Sequence, residues 1–593
     1  MTARRLFWKL IDHAWKAWLW LAPHSGAIMR IHRGRGRNRY RRRPLELSEL
    51  NATPYKIDSD PDSDPELLSR FVGKFINGTP ERLSLSSQSP VVRDSISSRI
   101  LMHKTVWQIA VLAGMLLASG ACRGTTPYWV RIVDAETGRG VPLVELRAMN
   151  QKTWYSDSNG VVAISDPWLL GHDALFSVRS DGYVCEKEDC NYSDKDERGI
   201  YLKIRPGAHA QFKLRRENIA ERLYRITGAG IYADSVSAGL PVPIKQPLLN
   251  GHVTGQDTVI AIPYHDRIYW FWGDTMGTSE MNFQVSGAAS APPEADGLDP
   301  EIGIDLTYFT DSSGFCKRML PLDRPLLVWI EGLMLVRDLS GQMRLVATYT
   351  GVGQSFSVEE RGVAVFDDSA KIFRVLTQLP PTRGHRSSHP FRFVDNGRPY
   401  WYLYPNYRVP DDWHSIQDAK AYEAFVCAKT EEKVHCSWKS GAPFVDDVEE
   451  QKLIQKGALA PEAALFPFID VDTKHRGNSG MGSVAWNAYR KKWIMISGAW
   501  GDVYYSEADA PQGPWLCAKR IVHHQKYNFY NVVHHPFLDR EGGRIIYFEG
   551  TYTAGLMEGT HPTPLYDYNQ IMYKLKLDDP RLQLPASICT GQR

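Results

Sequence analysis

The chain has no CxxC pair, no glycine loop of the Walker or Rossmann spacing and no G-x-S-x-G elbow. The first absence argues against a zinc ribbon. The second removes the usual phosphate cradle, and the third removes the strand-to-helix serine nucleophile. Excess charge is also missing. Lys and Arg number 70 against 67 Asp and Glu, a net +3 that gives no case for nucleic acid as a partner. Long amphipathic helices are absent between residues 240 and 580. Cysteine is sparse: eight residues in 593 suit an oxidising compartment without making a disulfide scaffold. No cofactor is implied. His535 is the residue type that binds metal, but no ligand set is fixed around it, so no metal is expected.

What the chain has in quantity is aromatics, with 18 Trp and 28 Tyr. These favour strands and also make flat surfaces for stacking on sugars. The length is too great for one ordinary core and predicts more than one domain.

The first hundred residues differ from the rest. "RIHRGRGRNRYRRRP" is basic and "DSDPDSDPE" is acidic and proline-rich, and neither has a period that buries a face. At Met102 a short basic start leads into an apolar stretch, Val106 to Ala118, and then small residues ending at Ala121-Cys122. That order is a signal peptide, and the apolar stretch is short for a membrane span. Translation is therefore expected to start at Met102, with 1–101 a non-structural extension and 102–122 the signal. "LLASGAC" resembles the bacterial lipoprotein box, departing from it at Ser119. The resemblance implies lipidation at Cys122, a membrane anchor and a cell-envelope location, with simple secretion as the alternative. Cys185 and Cys190 are close enough to close a small loop, and Cys427 and Cys436 flank a hairpin and face across it. Cys316, Cys517 and Cys589 then remain.

Residues 126–215 read as a small β-domain. "DSNG" at 157–160 is a hairpin signal between two short strands. "VDAETGRGVPLVEL", "SDSNGVVAI" and "SDGYV" resemble the transthyretin-like or carboxypeptidase-regulatory-like sandwich. Residues 216–239 read as a connector, with Ile219, Leu223 and Ile226 at helical spacing. From 240 to 585 short aromatic strands alternate with turns such as Asp395-Asn396-Gly397. Four-strand units of roughly 50–70 residues suit a propeller of about five blades. The stretch 568–582 is placed to pair back with an early blade and close the ring. The fold expected is all-β: a five-bladed β-propeller preceded by a small β-sandwich.

"GQDT" and "YWFWGDT" put Asp257 and Asp274 at strand ends. Asp is a good turn residue, but paired carboxylates are also the minimal set for glycoside hydrolysis. With "VYYSEADAPQGPW" (503–515), these stretches resemble five-bladed propeller glycosidases of the arabinanase and xylosidase type. The resemblance implies two Asp and a Glu acid acting on a polysaccharide or oligosaccharide. Glu462 is favoured for the acid because a Pro precedes it and apolar residues follow, so burial would raise its pKa. Glu549 is the alternative. Trp270, Trp272 and Tyr404 are expected to stack on sugar rings, with Tyr552 near Glu549. A rival chemistry uses His and Tyr as base and acid with an Arg on a uronate, as in propeller polysaccharide lyases. His389, His535, Tyr404, Asn406 and Arg476 are its candidates. A second rival is a non-catalytic glycan-binding propeller. The chain is expected to act as a monomer.

Overall fold

The computed structural model describes residues 126–589 apart from 195–196, 279–280, 283–284, 293–297, 354–356, 381–388, 430–432, 478–479, 481 and 555–560. The signal-like stretch, Cys122 and residues 1–101 lie outside the described residues. The described chain is almost entirely strand and turn.

Residues 128–216 form two sheets around one core. Tyr128–Asp134 lies between Val161–Ile164 and His209–Arg216, antiparallel to the first and parallel to the second. The facing sheet runs Thr153–Tyr155, Glu145–Ala148, Asp173–Arg179, Glu197–Lys203 and Tyr192–Asp194. Val130, Ile132, Leu146, Val162, Phe176 and Phe212 fill the space between, with Cys185 and Cys190 bonded to each other at its margin. The "DSNG" stretch is not a hairpin. The strands on either side of it belong to different sheets, so the chain crosses the core there. The buried Asp157 carboxylate is responsible: it accepts from the backbone N–H of Asn159 and Val161, which turns the chain, and from Ser235, which docks the turn.

The stretch of the connector with helical spacing forms a strand instead. Glu221–Arg225 is buried at every residue and pairs antiparallel with Asn569–Lys576. Tertiary pairing overrides the local spacing here, and Lys574 neutralises the buried Glu221 at 2.9 Å and Glu301 at 3.2 Å. A short helix, Ala233–Ser237, follows.

Beyond it, five mainly antiparallel sheets follow one another along the chain; the fourth carries one parallel pair, Ile469–Asp470 with Cys517–His523. The antiparallel runs of these sheets begin with Val259–Tyr264, Leu327–Arg337, Phe391–Asp395, Ser483–Asn487 and Asn528–His534, each called here its sheet's first strand. The fifth sheet is completed by Glu221–Arg225, so its outer strand comes from ahead of the first sheet. Each sheet packs on the next. Phe271 of the first meets Phe366 and Phe373 of the second. Met334 and Val336 of the second share a core with Trp401 and Leu403 of the third. Phe391 and Phe393 of the third lie against Trp493 of the fourth. Ile494 and Ile496 of the fourth meet Ile546 and Phe548 of the fifth. Trp270 of the first meets His535 and Phe537 after the fifth sheet's first strand, which brings the succession back to its start.

This packing explains the aromatic run Tyr269-Trp270-Phe271-Trp272. Alternate residues of a strand face opposite sides. Trp270 and Trp272 enter the core shared with the fifth sheet, and Tyr269 and Phe271 the core shared with the second. A strand covered on both faces reads as a continuous apolar run rather than an alternating one. Each ring contributes roughly 2–3 kcal/mol by leaving water.

Three disulfides are formed among the described residues: Cys185–Cys190, Cys427–Cys436 and Cys517–Cys589. The last ties the helical turn Ala586–Cys589 to the fourth sheet, and Cys316 is buried and unbridged.

Candidate functional site

The first sheet's hairpin ends where Val259 pairs with Trp272. A second short ladder starts just beyond, with Gln256 opposite Thr275. Asp257, Thr258, Gly273 and Asp274 span the gap between the two ladders. A broken ladder leaves backbone N–H groups to be satisfied locally. Asp257 does this: its carboxylate accepts from the Asp274 N–H at 2.8 Å, and its carbonyl accepts from the Gly273 N–H at 2.8 Å. Thr258 adopts a left-handed φ of 48°, uncommon for a β-branched residue. Gly273 is required by space, since a Cβ there would stand 2.5 Å from Asp257 Oδ1.

Other sheets complete the cluster. Tyr530, on the first strand of the fifth sheet, donates its hydroxyl to Asp257 Oδ2 at 2.9 Å. Tyr568, beside that sheet's third strand, brings its hydroxyl near Asp257, where it favours the charged carboxylate. Trp329, on the first strand of the second sheet, donates Nε1–H to Asp274 Oδ1 at 2.9 Å. Asn531 donates to the Thr258 hydroxyl, and the Thr258 N–H donates to Thr551 Oγ1 at 3.1 Å. Asp257, Asp274, Trp329, Tyr530 and Tyr568 are all half-buried.

The two carboxyls differ in proton affinity. Burial raises both, but Asp257 has donors that favour its charge: two tyrosine hydroxyls and the Asp274 N–H. Asp274 has only the Trp329 donor and feels the charge of Asp257, so it is raised further. In neutral solution the proton of the pair therefore belongs on Asp274 and the charge on Asp257. Burial and that charge also hold the Tyr530 and Tyr568 hydroxyls well above their ordinary range, so both remain donors.

The remaining candidates lie elsewhere. Glu462 is 45% exposed and pairs with Lys429 at 3.3 Å. Its own backbone N–H and Lys429 hold its carboxyl below the ordinary range. The burial expected to raise it is absent, because the short 3-10 turn Pro461–Ala463 directs Ala463 inward and leaves Glu462 outside. Trp270 and Trp272 are 0% and 1% exposed, so neither face is open to a sugar. Tyr404 is buried edge-on against Phe444 and Phe466. Asn406 is buried and donates to the Val445 carbonyl, and Arg476 donates to the carbonyls of Asp447 and Phe466. Tyr552 is buried against Tyr527 and His524. Glu549 and His535 form a fully buried pair at 2.7 Å in the core between the fifth and first sheets. Burial drives Glu549 well up and His535 down to about 3, so the pair is neutral. His389 is half-buried, and burial with His535 nearby lowers it to about 3. The lyase candidates are thus not brought together in an open site. Among the described residues no group of three His, Cys, Asp or Glu is placed to hold a metal ion.

Trp329, Tyr530, Asn531 and Tyr568 were not singled out by the sequence. One signal was present: "FYN" enters the fifth sheet's first strand much as "QDT" enters the first sheet's, and Asn531 shares the left-handed φ of Thr258 at 50°.

No protein-family model and no curated protein matches this chain. Solved structures do resemble it. An exo-beta-1,3-galactanase from Phanerochaete chrysosporium with galactose is 11% identical with a TM-score of 0.32, over 62% of this chain and 67% of that one. The GH43_1 enzyme from Xanthomonas citri complexed with xylotriose is 12% identical with a TM-score of 0.31, over 58% of this chain and 93% of that one. Likeness at this level does not assign a family or an activity.

Proposed function

We propose that this chain is a glycoside hydrolase built on a five-bladed β-propeller, with the five sheets as blades and residues 126–216 as a preceding sandwich. The observation that carries the reading is the pair Asp257 and Asp274: two half-buried carboxyls at one strand break, with surroundings that push their proton affinities apart. Asp274 keeps its proton in neutral solution and gives it to the glycosidic oxygen as the C–O bond breaks. Ionised Asp257 takes a proton from water as the hydroxyl adds to the anomeric carbon, or attacks that carbon itself. In the first route the carboxyls end with their protons exchanged, and solvent returns the proton from Asp257 to Asp274; in the second, ionised Asp274 takes a proton from the water that cleaves the glycosyl–Asp257 ester, so either route consumes one water. Tyr530 and Tyr568 keep Asp257 charged and oriented throughout. Three disulfides support an oxidising compartment, and with the signal-like stretch they support export, with lipidation at Cys122 as the proposed anchor.

The test is release of reducing ends from a panel of plant, algal and microbial polysaccharides. Asp257→Asn and Asp274→Asn should each lower turnover by about a thousandfold or more, since removing the acid or base forfeits that class of catalysis. Glycan binding with no turnover on any substrate, unchanged by Asp274→Asn, contradicts hydrolysis and favours a binding propeller. An unsaturated product absorbing in the near ultraviolet favours a lyase.

A further inference from the structure

The segment 563–568 joins the small β-domain to the site just described. We propose that this domain is a working part of that site: by holding Tyr566 it fixes Tyr568 against Asp257. The inference rests on the Asp257 site as read above, but not on its chemistry.

Tyr566 is buried, and its hydroxyl leaves the fifth sheet altogether. It donates to the Ser156 carbonyl at 2.6 Å and accepts from the Leu143 N–H at 3.2 Å. Both partners belong to the small β-domain, and both are themselves fixed. Ser156 is buried, with its Oγ donating to Val141 and accepting from Val144. Two residues later, Tyr568 lies beside Asp257, and its hydroxyl favours the charged carboxylate there. Its N–H donates to the Tyr552 carbonyl at 2.7 Å, and its carbonyl accepts from the Gln256 N–H at 2.7 Å. The residue before Asp257 is thus hydrogen-bonded to the same tyrosine.

The backbone between these points is strained. Leu565 has φ 65° and Tyr568 φ 62°. Non-glycine residues hold such angles only where surrounding contacts impose them. Around Leu565 the contacts come from Arg225, which donates to its carbonyl at 2.5 Å and lies 5.1 Å from the centre of the Tyr566 ring. Asn569 Nδ2 donates to the same carbonyl at 3.2 Å. Around Tyr566 they come from the small β-domain. Releasing the Tyr566 hydroxyl removes the anchor between two left-handed residues, and the relaxation reaches Tyr568 and then Asp257. Tyr566 is a positioning residue and touches no substrate.

Hydrogen exchange on the full chain tests this without any need for turnover. In the wild-type protein the amides of 565–569 should exchange as slowly as those of Ile545–Thr553, although the segment is a loop. Exchange at the rate of a free loop overturns the proposal. Tyr566→Phe should speed exchange in peptides covering both 563–570 and 252–258 by about five- to tenfold, the cost of one net hydrogen bond, with melting temperature nearly unchanged. Faster exchange confined to 141–158, with 252–258 unmoved, shows a merely structural role and overturns it. A chain that hydrolyses nothing can still meet or fail both criteria, so the two readings fail separately. If hydrolysis holds, Tyr566→Phe lowers kcat with little change in KM and moves the acid limb of the pH profile upward. The Tyr568 hydroxyl lowers the proton affinity of Asp257, and moving it away reverses that.

Discussion

Tyr530→Phe removes one hydroxyl and leaves the ring in place. The lost hydrogen bond is the 2.9 Å donation to Asp257 Oδ2. A hydrogen bond to a charged acceptor is worth about 1.5–3 kcal/mol. The lower end applies here, because Asp257 keeps the Asp274 N–H and the nearby Tyr568 hydroxyl and is only half-buried. About 1.4 kcal/mol is about one pKa unit. The bond stabilises the charged form, so its loss raises the proton affinity of Asp257. The acid limb of kcat/KM, set by Asp257, should therefore move up by about one unit. On that limb the variant should be about tenfold slower than wild type. The alkaline limb, set by Asp274, should stay put, because Asp257 is already charged in both proteins when Asp274 ionises. The assay is kcat/KM across the full pH range on whichever polysaccharide gives reducing ends. An alkaline limb that moves while the acid limb stays would reverse the assignment of acid and base. Two unmoved limbs would mean Tyr530 does not tune the pair.

Three further outcomes follow from the same geometry. Asp274 is raised on folding, so its contribution favours the fold at low pH and is lost as pH rises through its folded pKa; Asp274→Asn should melt higher than wild type in neutral and alkaline buffer, by about 1–3 °C, with no gain in acid. Gly273→Ala places a Cβ 2.5 Å from Asp257 Oδ1, so activity should fall by roughly tenfold or more while circular dichroism stays that of a folded β protein. Cys589→Ser opens a bridge spanning 72 residues, and denaturant unfolding should show a loss of up to about 4 kcal/mol.

Asp257 and Asp274 were legible because each stands at a strand end close behind a glycine, and a carboxylate there must either satisfy the turn or face outward. Asp257 does both. The tyrosines and the tryptophan that complete the site were not legible. Tyr530, Tyr568 and Trp329 come from other sheets, and in a chain this rich in aromatics most rings are core. Trp270 and Trp272 show the same difficulty from the other side: adjacent to Asp274 in sequence, they are buried because their strand is covered on both faces. Glu462 carried the expected apolar neighbours, yet those neighbours turn inward without it. Within the five sheets most neighbouring strands are also neighbours in sequence, joined by the local turns the sequence signals. The strand Glu221–Arg225 was not legible, because only its partner Asn569–Lys576, more than three hundred residues away, makes it a strand.

The measurement closest to the central claim is neutron diffraction from crystals held near neutral pD. Asp274 Oδ1 accepts from Trp329, so a deuteron should appear on Asp274 Oδ2, with none on either oxygen of Asp257 and with deuterons on the Tyr530 and Tyr568 hydroxyls directed at Asp257. A deuteron on Asp257 with Asp274 bare, or both carboxylates bare, would contradict the account.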